Sequence, residues 1–170
     1  DFVSGPLYDG RKVRALTLID AYTRECLAIM VDQGIRGEQV VEVVTAVSER
    51  RGAPLRIQVD NGPEFVSKVL DRWAYERRVE LAFSRPGKPT DNAHVEAFNG
   101  RLRQECLNPH WFLSLVDART KIEAWRVAYN ESRPHGALEW ATPAEFAKRC
   151  REEAAIEVQS RPENLISGRF

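Results

Sequence analysis

No stretch of this sequence is apolar for long enough to cross a bilayer, which takes about 20 consecutive residues, and its first residues do not read as a basic-then-apolar leader. No membrane role is expected. Cysteine is scarce: Cys26, Cys106 and Cys150 are odd in number and far apart. That excludes a disulfide framework and a C-x-x-C metal site, and a reducing cytoplasm is the expected setting. His94, His110 and His135 do not stand at zinc-ligand spacing with those cysteines. An excess of one charge is also missing, because 25 basic residues balance 25 acidic ones. The basic surplus usual in a nucleic-acid binder is therefore absent from the total. It is not absent locally. Arg50-Arg51 and Arg77-Arg78 are paired, and Arg85, Lys88, Arg101 and Arg103 recur around an acidic cluster. A lone basic pair is ordinarily solvated surface, whereas the run from Arg85 to Arg103 has a context, given below.

What is present suits one soluble domain. The chain has 170 residues, 43% of them hydrophobic and 29% charged, enough for a real core. Residues 1–150 read as that domain and 151–170 as a polar, loosely held tail. Asp1–Leu7, Lys12–Ile19 and Glu25–Val31 are short apolar segments separated by turn residues, so an antiparallel meander is expected. Gly37–Arg51 changes period, with Val40, Val44 and Val47 on one helical face. Leu55–Val59 is a short strand stopped by Asp60-Asn61-Gly62-Pro63. Glu64–Arg77 reads as a helix with Phe65, Val69, Trp73 and Leu70 towards the core, and Val79–Phe83 as a fifth strand. Two prolines and a glycine keep Ser84–Thr90 out of regular structure. Thr90 or Asp91 can then cap a helix to about Cys106. Leu115 to about Tyr129 is a further helix, suited to core packing or to a dimer contact, and a short helix should follow Pro143. The order β-β-β-α-β-α-β-α-α implies an α/β fold with a mixed five-stranded sheet and helices on both faces. It is the order of the ribonuclease H-like fold.

Three carboxylates stand out. Asp60 ends a buried strand, the edge at which ligands bind in α/β sheets, although Asp-Asn-Gly is also ordinary turn chemistry. Asn92, Glu96, Asn99 and Arg103 fall on one helical stripe beside the apolar stripe of Val95, Phe98, Leu102 and Cys106. Glu96 is thus expected at the border of the buried face, although a glutamate in a first helical turn is also favoured by the dipole. Asp1 heads the first strand. Asp20, ending the second, reads as a turn residue. Carboxylates from separate elements meeting at one edge suit hard divalent cations, which take oxygen ligands. Two such ions support phosphodiester chemistry.

The run Asp60-Asn61-Gly62-Pro63-Glu64-Phe65, with 35 residues between Asp60 and Glu96, resembles the D-D-35-E pattern of retroviral integrases and insertion-sequence transposases. PGKPTDNAHVEAFNGRLRQECLN resembles the glutamate helix and preceding loop of second-reading-frame transposases. Asp1-Phe2, the run Ile19–Arg24, and Tyr129-Asn130 with Arg133-Pro134-His135, Leu138 and Thr142-Pro143 resemble further segments of that family. The resemblance implies a metal-dependent DNA transposase core. It would cleave transposon ends and transfer the strand into target DNA. Asp1, Asp60 and Glu96 would be its catalytic and metal-binding residues, holding Mg²⁺ or Mn²⁺, two ions in all. Arg103 stands where the family usually has a basic residue. Lys88, Asn92, Asn99, Arg101 and Arg103 are the expected DNA contacts. The implied partners are transposon-end and target DNA and further copies of the chain, with an upstream DNA-binding region elsewhere in the protein. Two other readings remain open on the residues alone: a ribonuclease H-like nuclease without strand transfer, and an inactive remnant that binds DNA or oligomerises.

Overall fold

Three apolar segments with turn residues between them fold into a meander because each strand finds its partner next along the chain. In the computed structural model, which describes residues 1–160, they are β1 (Phe2–Pro6), β2 (Lys12–Ile19) and β3 (Cys26–Asp32). Phe2 lies opposite Leu16, and Ala15 opposite Val31, both antiparallel. Side-chain alternation then splits the sheet between two cores. Val3, Val13, Ala15 and Val31 face one, with Phe98, Leu102 and Ile122. Leu16 faces the other, with Val40, Val44, Phe65 and Trp73.

The second core is built by α1 (Gly37–Arg51), β4 (Arg56–Val59), α2 (Lys68–Arg77) and β5 (Glu80–Phe83). Val40, Val44 and Val47 are buried, as their spacing predicts. The amide N–H of Arg36 donates to Gln39 Oε1 at 2.9 Å, which fastens the start of α1. The second helix begins later than expected, at Lys68, capped by Ser67. Its buried face is Leu70, Trp73 and Ala74, whereas Val69 is 39% exposed. Phe65 is buried too, but from the turn before the helix, so it does not share the helical period that placed Val69 with it. The two helices approach closely at Gly37, where a Cβ would stand 2.5 Å from Ser67 Oγ.

β4 and β5 pair in parallel, Ile57 opposite Leu81. Among the described residues this ladder is not hydrogen-bonded to β1-β2-β3. The expected single five-stranded sheet is thus interrupted between β1 and β4. A cavity of about 860 Å³ lies there, walled by Leu18, Val40, Val44, Ile57 and Val59.

A 3₁₀ turn, Pro89–Asn92, leads into α3 (Ala93–Leu102), and a π-helical turn, Arg103–Leu107, follows it. Neither Thr90 nor Asp91 caps α3. The Asp91 carboxylate instead takes Arg85 Nη2 at 2.8 Å. α4 (Leu115–Ser132) is capped by Ser114, whose Oγ accepts from the Asp117 amide at 3.1 Å. It covers the outer edge of β3. Asn130 accepts from Cys26 N at 2.8 Å and donates to Cys26 O at 2.9 Å, while Arg119 donates to Val31 O at 2.8 Å. That answers the exposed-edge problem of an antiparallel sheet. α5 (Pro143–Ser160) is far longer than the short helix expected, and the tail expected from residue 151 is helical as far as Ser160. The remainder of that expected tail, 161–170, lies outside the described residues. No helix among the described residues is long and apolar enough to cross a membrane.

Candidate active site

Asp1 is held from several directions. Its Oδ1 accepts from the Phe2 amide at 2.6 Å, and its Oδ2 from Asn99 Nδ2 at 2.8 Å. Its carbonyl accepts from the Thr17 amide at 2.8 Å. Its backbone nitrogen donates to Thr17 O at 3.0 Å, and Asp60 acts electrostatically at that nitrogen. Asp60 therefore lies within electrostatic reach of Asp1, as two neighbouring strand ends should place them.

Asp60 is oriented by its own turn. Its Oδ1 accepts from the Gly62 amide at 2.8 Å. A Cβ on residue 62 would lie 2.9 Å from that oxygen and 3.0 Å from Glu64 Oε2, so only glycine leaves the carboxylate room. Asn61 Nδ2 donates to Ser84 O at 2.9 Å, and Ser84 Oγ to Val59 O at 3.0 Å, which tie the Asp60 turn to the loop after β5. Glu64 pairs with Arg14, whose guanidinium lies 4.1 Å from the centre of the Phe2 ring. Arg14 thus links the Asp60 turn to the residue after Asp1.

Glu96 is placed differently. It sits in the first turn of α3 and is exposed, not at the border of the buried face. Among the described residues no three Asp, Glu, His or Cys side chains close on one point. The three carboxylates Asp1, Asp60 and Glu96 thus form no such group; Asp60 lies within electrostatic reach of Asp1, and Glu96 is exposed. Like charges crowded together repel, and nothing in α3 draws the exposed glutamate inward. Asp20 does the work of a turn residue: its Oδ1 accepts from the amides of Tyr22 and Thr23 at 2.8 and 3.0 Å.

Of the residues expected to meet DNA, Lys88, Arg101 and Arg103 are exposed. Asn92 is half-buried, and its Oδ1 is buried without a partner. Asn99 departs from the expectation. It is 7% exposed, and its Oδ1 accepts from Thr17 Oγ1 at 2.8 Å while its Nδ2 holds Asp1. Its place on the polar stripe was legible, but the stripe turns inward there because β2 lies against it. Thr17, itself 1% exposed, completes this link and gave no sequence signal beyond its position in a strand. The Arg85–Asp91 pair, which pushes the Asp91 carboxyl down to about 2 through its side-chain hydrogen bond, was likewise not foreseen.

An α/β domain with a meander, a parallel strand pair, helices on both faces and aspartates at two neighbouring strand ends belongs to the ribonuclease H-like class. Solved structures carry the same fold. The catalytic core domain of HTLV-2 integrase, in complex with magnesium, superposes with a TM-score of 0.63 at 17% identity, over 86% of this chain and 91% of that one. A chain of the simian T-cell lymphotropic virus intasome in complex with the PP2A regulatory subunit B56 gamma gives a TM-score of 0.72 at 15% identity, over 100% of this chain and 56% of that one. The sequence makes the assignment narrower. Family models described as integrase core domain match residues 1–89 and 77–143, and the chain belongs to the integrase core domain family. An uncharacterized 31.7 kDa protein of insertion element IS407 from Burkholderia multivorans is 48% identical over 91% of this chain and 56% of its own length. An uncharacterized 39.2 kDa protein of insertion element IS476 from Xanthomonas euvesicatoria is 43% identical over 91% of this chain and 45% of its own length. The transposase of insertion sequence IS904 from Lactococcus lactis is 25% identical over 76% of this chain and 53% of its own length. The chain thus spans about half the length of these relatives.

Proposed function

We propose that this domain is the catalytic core of a DNA transposase, cleaving transposon ends and transferring the strand to target DNA, with Asp1, Asp60 and Glu96 as its acidic residues. The observation that carries the reading is the bond from Asn99 to Asp1, on the helix that bears Glu96 with 35 residues between it and the turn-held Asp60. Family membership and the insertion-element relatives support it.

The donor set fits magnesium or manganese. It is all oxygen, without a competing thiolate or imidazole, as hard divalent ions require. Asp1 and Asp60 each keep lone pairs beyond the hydrogen bonds that orient them. In the proposed role Asp1 would hold two ions, Asp60 one and Glu96 the other. Such ions supply charge stabilisation for the attacking and leaving oxygens of a phosphodiester displacement. The protein's own share is positioning. Asn99, the Phe2 amide and the Gly62 amide fix the carboxylate planes, and the helix brings Glu96 to the same edge when DNA is engaged. Lys88, Asn92, Arg101 and Arg103 would contact the DNA backbone, which orients a duplex without reading its sequence. Asn99 acts instead through Asp1.

The zero net charge fits a core that leaves end recognition to another part of the protein, and the greater length of the relatives allows for one. Assembly of several copies on DNA belongs to the same reading, which the solved dimeric and trimeric forms of the HTLV-2 integrase catalytic core domain support. A strand-transfer assay with a pre-cleaved transposon end and Mn²⁺ tests it. Joined product that disappears with Asp60→Asn and with Glu96→Gln is expected. Cleavage without joining would assign a nuclease instead, and inertness of the complete protein would overturn the enzymatic reading.

A further inference from the structure

Away from the carboxylates, three segments bring basic side chains to one place. Arg24 comes from the β2–β3 turn, in a left-handed conformation with φ 62°, its amide bonded to Asp20 O at 2.9 Å. Arg101 comes from α3, and Arg133 follows α4. His135 is clamped by backbone bonds, its amide to Ala141 O at 3.0 Å and its carbonyl to the Leu138 amide at 2.9 Å. Its ring meets Tyr129 edge-on at 5.1 Å. All three guanidinium groups act on this imidazole, and with burial, the larger effect, they lower its pKa.

One carboxylate answers this charge. Glu105, on the π-helical turn, pairs with Arg133 and accepts from Trp125 Nε1 at 3.2 Å. The side chains of Arg24 and Arg101 make no hydrogen bond or ion pair to any described residue. Four buried side-chain polar atoms among the described residues lack a partner, and two of them are Arg24 Nη1 and His135 Nε2. A buried polar nitrogen without a partner is costly, so one such guanidinium atom and one such imidazole atom in a cluster of excess positive charge mark a place for an anion. Arg24 as a whole is half-buried, so rotation of its terminal torsions brings the fork to a ligand at the surface.

We propose that Arg24, Arg101, Arg133 and His135 form a binding site for one backbone phosphate of the DNA strand engaged by the carboxylates. The inference rests on the transposase reading above and adds a site to it. Guanidinium forks match phosphate oxygens better than a point charge would. The position also fits. Arg101 lies five residues beyond Glu96 on one helix. At about 1.5 Å and 100° per residue, Arg101 stands about 7.5 Å further along the axis and on another face. The phosphate held here is therefore a different one from that at the carboxylates.

The test uses the whole chain and two probes. Imidazole NMR signals are followed while inorganic phosphate alone is added, then while a short DNA duplex is added. His135 is expected to shift and to titrate at higher pH with either probe, His94 and His110 to stay put with phosphate alone, and Arg24→Gln with Arg101→Gln to abolish the response. In binding titrations across salt, the double variant should weaken the duplex about tenfold and reduce the slope of log affinity on log salt by about 0.9, the value for one phosphate contact. A His135 signal that ignores both probes, or a salt slope unchanged in the double variant, overturns the site. A response to phosphate but not to duplex assigns the site to free phosphate and overturns the DNA assignment. Failure of strand transfer with the His135 response intact would overturn the transposase reading and leave the phosphate site standing.

Discussion

Asn99 Nδ2 donates to Asp1 Oδ2 at 2.8 Å, so α3, which carries Glu96, is bonded directly to the carboxylate at the head of β1. The other end of the amide accepts from Thr17 Oγ1 at 2.8 Å, in a buried position. Removing the amide strands both partners. Asn99→Leu should therefore lower stability by about 1–3 kcal/mol, the usual penalty for a buried group left unpaired. Thr17→Val should be destabilising, and the double variant should lose less than the sum of the two, since both remove one shared bond. Urea midpoints of the four proteins measure this, and strict additivity would show that the two side chains are not coupled.

Asp60→Asn separates a metal-binding role from a turn role. The Gly62 amide can bond an Asn oxygen as it does an Asp oxygen, so the turn survives. Losing a charge beside Asp1 should leave the metal-free protein as stable as before or more stable. In the parent chain Mn²⁺ should raise the melting temperature, by about 2.7 kcal/mol of stabilisation at a hundredfold excess over Kd. The rise should shrink in the variant, whereas sodium at equal ionic strength should do nothing comparable. Thermal melts with and without Mn²⁺ decide it.

Trp125 belongs to a ring cluster, 5.5 Å from Phe98 and 5.3 Å from Tyr129, and its Nε1 donates to Glu105 at 3.2 Å. Of the two roles open to this helix, core packing is the one these contacts support. Trp125→Ala should cost about 3–5 kcal/mol without changing the mass measured by light scattering.

His135 makes stability depend on pH near neutrality. Burial, then Arg101, Arg133 and Arg24, hold its folded pKa below the ordinary value of 6.5. The unfolded chain then takes up the proton more readily than the folded one. The contribution is full above pH 6.5 and is lost as the pH falls from there towards the folded value. Denaturation midpoints between about pH 7.5 and 5.5 should fall for the parent chain and fall less for His135→Gln. Equal losses in both would place the proton elsewhere.

Thiol reactivity should divide by burial. Cys26 and Cys106 are 0% exposed; burial pushes the Cys26 thiol above its ordinary range and the Cys106 thiol up to about 11, while Cys150 is only partly covered. The thiolate is the reactive form. A thiol reagent should modify Cys150 in the native protein and reach Cys26 and Cys106 only after unfolding, as mass spectrometry of the labelled peptides would show.

Wherever the cause was local, the sequence by itself determined the outcome. The bounds of β2 and α1 follow from β-branched alternation and from valines three and four apart, and the Asp60 turn follows from Asp-Asn-Gly-Pro. The family was legible for a related reason, since its motifs are short runs at fixed spacing. Tertiary structure decided which side of a border each residue takes. Val69 and Leu70 are adjacent and both apolar, yet only Leu70 is buried, because α1 and the sheet press on one side of α2. Asn99 and Glu96 share a stripe, yet one is bonded to Asp1 and the other is in solvent, because β2 passes under only one of them. The gap between the two ladders and the gathering of Arg24, Arg101 and Arg133 around His135 depend on segments far apart in the chain. Periodicity reports the face a residue lies on; burial is set by whatever else packs there, and that neighbour is chosen by the whole fold.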